Sequence, residues 1–585
     1  MVNHEWEHAD KNIQYRVLNA IVKEQIYNDQ TLIHHYDDQL QIQYHCHILT
    51  VSVARKSALQ RYVFTGEVIY SCGNKVINIT SLESLLDILN RYFDITISEQ
   101  LWEELIHSRD GLIESYKQLT HRQSLIKQSL KFSRLPQDIN FITWLQHTSH
   151  YDGVDDLMYS ESIVTEGHPT HPLTKTKLPL TMNELSLYAP EFEKTIPLHI
   201  MMIEQHHIVT TAMNHDDDFI MHLVLPEFDN QIRIFMKSLG LNYKNYKAIL
   251  VHPWQYDYTI NEAFNHWIEQ KILIPTPFIV KSKATLSFRT MSLINKPFHV
   301  KLPVNVQATS AVRTVSTVTT VDGPKLSYVL QDMLNQYPKL QVAMEPFGEY
   351  ADIDDDKARQ LACIIRQKPE IKGFGVTVVS ASLVNINPVD HKTVVDSYLE
   401  WLNHKIDANG IKTFIAHYTE ILVTPLIAFI QRYGIALEAH MQNTVVHLGP
   451  NYDMSFLIRD LGGSRIDLDT LQSRIANMDI TNQSLLAQSI EEVIAKFQHA
   501  VIQNQLAELI HHFTQYEGVN EAELFDIVRT KVNHAIDPQL DHAQALKDVL
   551  FGPTITVKAL LNMRMENRVK IYLNIELDNP IAKEV

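Results

Sequence analysis

SFRTMSLINKPFHVKLPVNVQATSAVR occupies residues 287–313. Its flanks, TLSFRTMSLI and FHVKLPVNV, alternate apolar and polar positions as strands do, and NKPF between them reads as a turn because Pro297 cannot continue a central ladder. A hairpin is expected. A register centred on that turn puts Ser287, Arg289 and Met291 on one face with Lys301, Pro303 and Asn305, so Ser287, Arg289 and Lys301 converge. Thr309 and Arg313 stand four apart in TSAVRT and share a side if a helix begins there, where free backbone N–H groups would add to an anion site. A guanidinium suits a carboxylate or a phosphate through two parallel hydrogen bonds. The alternative is a solvated sheet face with isolated cations.

Working outward, the whole chain is acidic, with a formal net charge of -17 over 585 residues, so a local cationic cluster is not a by-product of general basicity. With 45% hydrophobic and 20% charged residues the composition is that of a globular protein too long for one core. No Lys/Arg-rich run tracks phosphates, which argues against nucleic acid. Apolar runs such as VTPLIAFI fall short of a membrane span, and MVNHEWEHADKN lacks the pattern of a signal peptide, so a cytoplasmic location is expected. Cys46, Cys72 and Cys363 have no CxxC spacing, which argues against a disulfide framework, a cysteine zinc site and an iron–sulfur cluster.

Three regions are expected. Residues 1–150 open with the strand-like LQIQYHCHILTVSV and RYVFTGEVIYS and turn helical from Thr96, where Thr96 and Glu99 fit a capping box. Residues 151–385 are richer in proline and extended segments, and residues 386–585 are mostly helical, with Leu486, Ile490, Val493, Ile494 and Phe497 at helical spacing.

The helical third is interrupted by EAHMQNTVVHLGPNYDMSFLIRDLGG, which reads as a second hairpin around Gly-Pro-Asn. Pairing outward from that turn brings Asn443 beside Arg459 and Asp460, with His440 and Gln442 on a shared face of the incoming strand. An Asn followed by an Asp is also how protein kinases hold magnesium against nucleotide phosphates, so this end suits a Mg–ATP site; a merely solvated hairpin end is the alternative. EGHPTHPLTKTK keeps His168 and His171 out of helix and adds Lys175 and Lys177, a set suited to carboxylates. Trp254 in HPWQ is expected in the core. HEWEH at His4–His8 matches the HExxH zinc pattern but sits at the chain terminus, and the Asp216–Asp218 and Asp352–Lys357 runs read as solvated loops. Walker A, dinucleotide and GxSxG motifs are absent from the sequence.

Taken in order, GHPTHPLTKTK, HPWQ, SFRT, Lys301, TSAVRT, EAHMQN, RDLGG and KALLNMR resemble the synthetases that make siderophores without a nonribosomal peptide machinery, the aerobactin-synthetase-like family. The resemblance runs from about residue 160 to the end. It implies an α+β fold shaped as a cupped hand: a thumb at 1–150, fingers at 151–385 with the anion-binding hairpin, and a mostly helical palm at 386–585 with the nucleotide hairpin. It implies ATP and Mg2+, adenylation of a carboxylate of citrate or a related acid, and displacement of AMP by an amine. Small acid and amine substrates and a homodimer are the partner expectations, with no nucleic acid and no membrane.

By matching motif, Ser287, Arg289, Thr290 and Lys301 would contact the nucleotide, and Thr309 and Arg313 would lie between its α-phosphate and the acid. His440, Gln442, Asn443 and Asp460 would complete the nucleotide site, with Asn443 and Asp460 as magnesium ligands and Arg313, Lys301 and His440 as catalytic groups. His168, His171, Lys175, Arg459, Lys558 and Arg564 would serve the substrate. Lys177 stands where the family usually has arginine and Pro179 where a glycine commonly follows. Overall similarity suggests the subgroup that activates 2-oxoglutarate, as in staphyloferrin B assembly. A kinase-like phosphotransferase and a non-catalytic ferric-siderophore binder stay open; ferric-siderophore reductases, which the last third faintly resembles, need a cysteine-held cluster that nothing after Cys363 could hold.

Overall fold

The computed structural model describes residues 4–309, 311–403, 405–476, 478–566 and 573–582. The fold is α+β, with mostly antiparallel sheets and a helical last third.

Alternation in the first region does produce strands. Thr31–His35, Gln39–Tyr44, His47–Ser57, Arg61–Cys72 and Lys75–Ile79 form a five-stranded antiparallel meander. Its inward residues Leu40, Ile42, Leu49 and Val51 pack against helices His4–Lys23, Leu82–Tyr92 and Glu99–Phe132. The expected box at Thr96 and Glu99 does not form. Ser98 is the cap instead, its hydroxyl accepting from the Leu101 N–H at 3.2 Å, because it is the extended residue directly before the first helical turn. This core also takes in Leu173 and Leu561, so the N-terminal region closes over segments far along the chain.

The Thr290–Leu293 and Phe298–Lys301 strands lie at the centre of an eight-stranded antiparallel sheet, flanked by Leu273–Ala284 and Ala362–Gln367. Its core includes Met291, Leu293 and Val300, each no more than 1% exposed. A third core joins the Thr444–Leu448 and Met454–Ile458 hairpin to the C-terminal helices. One of these, Ala408–Tyr433, is long and apolar enough to cross a membrane by length and composition, unlike the short runs read in the sequence. Ile411, Phe414, Ile415, Tyr418 and Phe429 on it are nonetheless fully buried in this core.

Two local features aim the site. Val304–Ala308 pairs on one side with Ala311–Arg313 and on the other with Lys177–Leu178, stitching the end of EGHPTHPLTKTK to the TSAVRT hairpin. Ile490–Phe497 continues through a π-helical stretch, Gln498–Leu506, into Ala507–Phe513, and π segments often mark functional positions.

Candidate functional site

The first hairpin forms, but its register is one residue off the expected one. Thr290 faces Lys301 and Met291 faces Val300, because the turn is centred between Asn295, at φ 60, and Lys296. A one-residue slip moves every side chain to the other face, so Met291 enters the core and Lys301 shares its side with Thr290. Ser287 and Arg289 precede the strand in a tight turn around Phe288, which sits at φ 64. TSAVRT is likewise a hairpin and starts no helix; Thr317–Leu334 is the next one. Arg313 still reaches Thr309, its guanidinium donating to the Thr309 Oγ1 at 3.1 Å and the Ala308 carbonyl at 2.9 Å.

The second hairpin pairs as expected: Thr444 faces Ile458, and the Arg459 N–H donates to the Asn443 carbonyl at 2.9 Å. His440 and Gln442 lie in a turn before the strand, where the Asn443 and Thr444 N–H groups donate to the His440 carbonyl. Arg459 turns inward, to the Glu161 carboxylate and the Gln442 carbonyl, so it supports the site from below. Asp460 takes the left-handed φ of 73 and projects towards the first hairpin. There the Lys301 ammonium donates to both its oxygens at 2.7 and 2.9 Å.

The two hairpins therefore border one cleft of about 830 Å³. Ser287, Arg289, Thr309 and Arg313 line it from the first ribbon, and His440, Gln442, Asn443 and Asp460 from the second. His168, Lys175 and Lys558 also reach it. Thr290, Lys301, His171, Arg459 and Arg564 do not line it. Thr290 shares a hydrogen bond with Ser287, Lys301 holds Asp460, and Arg564 is bound to the buried Glu104 carboxylate. The Lys175 ammonium is already matched by Glu191 and the Val164 carbonyl.

Burial dominates the electrostatics. It pulls Arg289 down to about 10, with Arg313 adding to the effect, and it also lowers Arg313. These are two desolvated cations on one cleft. Burial alone would raise Asp460, but the charges of Lys301 and Arg366 outweigh it and hold the carboxyl well below its usual range. Burial pushes His440 and His168 down, and His171 to about 3, so these imidazoles are neutral at physiological pH. His168, which lines the cleft where His171 does not, would therefore meet an anion through a neutral N–H and not as a cation. Nδ1 of His168 accepts from the Thr170 and His171 N–H groups, leaving Nε2 as the donor.

Several functional groups escape a reading of the sequence. Glu438 lies inside EAHMQN; its carboxylate is matched by Lys496 and lies 3.4 Å from the Asn443 Nδ2. A Cβ on Gly463 would come within 1.8 Å of Glu438 Oε2, which gives the second glycine of RDLGG its reason. Arg366, on a strand with no motif, joins Glu345 to Asp460. Trp254 of HPWQ is a core residue as expected, 3% exposed and stacked on Tyr258.

Residues 156–385 match the IucA / IucC family, and residues 412–572 match the Ferric iron reductase FhuF-like transporter family. The staphyloferrin A synthase of Staphylococcus aureus is 70% identical over 585 residues, spanning 100% of both chains. The D-ornithine–citrate ligase of the same species is 27% identical over 466 residues, 74% of this chain and 71% of its own length. The staphyloferrin B synthase is only 23% identical, over 62% of this chain and 64% of its own, so the expected 2-oxoglutarate subgroup finds no support. The ATP-bound aerobactin synthetase IucA of Klebsiella pneumoniae superposes with a TM-score of 0.76 at 18% identity, covering 98% of this chain and 100% of that one, which shows a shared fold.

Proposed function

This chain belongs to the IucA/IucC family of NRPS-independent siderophore synthetases and is an ATP-dependent ligase, and from that premise we propose that it adenylates a citrate-type acid and condenses it with an amine, in the assembly of a staphyloferrin A-type siderophore. The kinase-like and ferric-siderophore-binding readings give way, since the relatives are synthases and ligases. Support for citrate comes from the relative whose name contains it.

The observation that carries the reading is the pair of desolvated guanidiniums, Arg289 and Arg313, sharing one cleft with the Asp460 carboxylate. A carboxylate oxygen of the acid attacks the α-phosphorus of ATP in line, and the bond from that phosphorus to the pyrophosphate oxygen breaks. Arg289 and Arg313 stabilise the charge that builds on the phosphoryl oxygens, in a site where low dielectric strengthens the effect. Ser287 and Thr309 offer hydroxyls to the nucleotide and the acid. Glu438, Asn443 and Asp460, all on the cleft, would hold Mg2+ through hard oxygen donors, and the ion would neutralise phosphate charge. The amine nitrogen then attacks the acyl carbon and AMP leaves. His440, neutral and 3.9 Å from the Glu438 carboxylate, takes the ammonium proton. Lys301 acts by fixing Asp460 and so is a positioning residue.

Incubation of the enzyme with ATP, Mg2+ and citrate tests this by product analysis. AMP and pyrophosphate are expected, with an amide formed once an amine is added. ADP as the nucleotide product would reject adenylation.

A further inference from the structure

One corner of the five-stranded sheet lies outside the reaction cleft. Cys46 lies in the turn between strands Gln39–Tyr44 and His47–Ser57, His47 opens the second of them, and Cys72 closes Arg61–Cys72. Their positions in the sequence argue against a cysteine metal site, but the ladder makes His47 and Cys72 register partners. The Cys46 and Cys72 sulfurs lie 2.6 Å apart, and one donor atom from each of the three residues lies within 4.8 Å of the others.

We propose that Cys46, His47 and Cys72 form a binding site for a thiophilic divalent cation, with Zn2+ the ion that suits the donor set. Two thiolates and an imidazole supply three of the four ligands of a tetrahedral zinc centre and leave one position for water or an added ligand. The imidazole is held in place: His47 Nδ1 is 2.7 Å from the Tyr70 hydroxyl, and the ring stacks on Tyr92 at 4.9 Å. Metal-binding histidines are commonly oriented by such an outer partner. Cys46 is exposed and the other two are half-buried, so an ion can enter from solvent.

Binding replaces two thiol protons by metal–sulfur bonds, so two protons are released per ion. Sulfurs about 2.3 Å from one tetrahedral ion stand roughly 3.7 Å apart, and the exposed Cys46 side chain has room to swing out by that difference. None of the three residues lines the reaction cleft.

Full-length protein, chelator-stripped and kept reduced, is titrated with Co2+ as an absorbance probe and then with Zn2+. The expected result is one equivalent of Co2+ with a thiolate-to-cobalt band, displaced by Zn2+. Cys46→Ser and Cys72→Ser each abolish the band, and His47→Ala weakens binding by roughly 10–100-fold, as does Tyr70→Phe at the lower end of that range. Ligase turnover is unchanged in Cys46→Ser, which shows that the variant folds. A reduced protein without the band, or a band that survives Cys46→Ser/Cys72→Ser, overturns the proposal. So does a cysteine pair that forms a disulfide in air while the reduced protein leaves Co2+ unbound. Cys363 is buried and does not contribute.

Discussion

Nζ of Lys301 lies between the two carboxylate oxygens of Asp460, at 2.7 and 2.9 Å, joining ribbons 159 residues apart in sequence. Burial lowers the lysine and the lysine lowers the aspartate, so the pair stays charged across the physiological range. It fixes where Asp460 stands at the edge of the cleft.

Asp460→Asn leaves the Lys301 charge buried without its partner. A loss of about 3–5 kcal/mol is expected from breaking a buried pair, read by chemical denaturation, together with roughly 100-fold slower pyrophosphate release. Lys301→Met/Asp460→Asn regains much of the stability and none of the activity. The sign with pH follows from the depressed carboxyl: its contribution is present above the unfolded value of about 4 and is lost as pH falls further. Wild-type stability in Asp460→Asn, at neutral pH, would refute the role given to the pair.

Arg313→Ala removes one of the two desolvated guanidiniums. Acid-dependent pyrophosphate release is expected to fall by roughly 100–1,000-fold, the range seen on deleting a transition-state donor, with an unchanged circular dichroism spectrum. Arg313→Lys recovers only part of the loss, because an ammonium cannot make the bidentate contact. Near-normal turnover in Arg313→Ala would defeat the assignment.

Glu161 is fully buried and does two tasks. It pairs with Arg459, and its Oε2 accepts the Leu286 N–H at 2.6 Å, directly before the Ser287–Arg289 turn. Glu161→Gln should lower stability by about 3–5 kcal/mol and raise the KM for ATP. If calorimetry finds a stability change below about 1 kcal/mol, the pair does not hold the turn.

Burial brings Lys177 and Lys558, both on the cleft, down to about 8. Both folded values lie below the unfolded one of about 10.4, so on this account stability rises with pH between about 8 and 10. Binding of an anionic acid favours the charged form. The KM for the acid should therefore rise as pH passes 8, by up to about tenfold per unit for each group that must be protonated. Lys177→Met flattens the profile in part and Lys177→Met/Lys558→Met removes it; an unchanged profile in the double variant would show that neither lysine meets the acid.

The hairpins were legible because alternation and turn residues are local: NKPF and Gly-Pro-Asn both fall at turns. Asn443 and Asp460 were brought together by the same local pairing, whereas Arg289 was read on a strand face and Arg313 on a helix that does not form. Register was not, since Asn295 and Lys296 centre the turn half a residue from where pattern alone would put it. Lys301, Arg459 and Arg564 read as cations for a ligand, whereas each is matched by a carboxylate from a distant segment: Asp460, Glu161 and Glu104.

From the sequence alone came the two ribbons and the chemical character of the cleft, because these depend on side-chain period and on residues close together in the chain. Only the tertiary structure decided which charges face the cleft and which are consumed in supporting it. Such pairing across 159 residues for Lys301 and Asp460, or 298 for Arg459 and Glu161, is set by how the sheets and helices pack and leaves no periodic trace in the sequence.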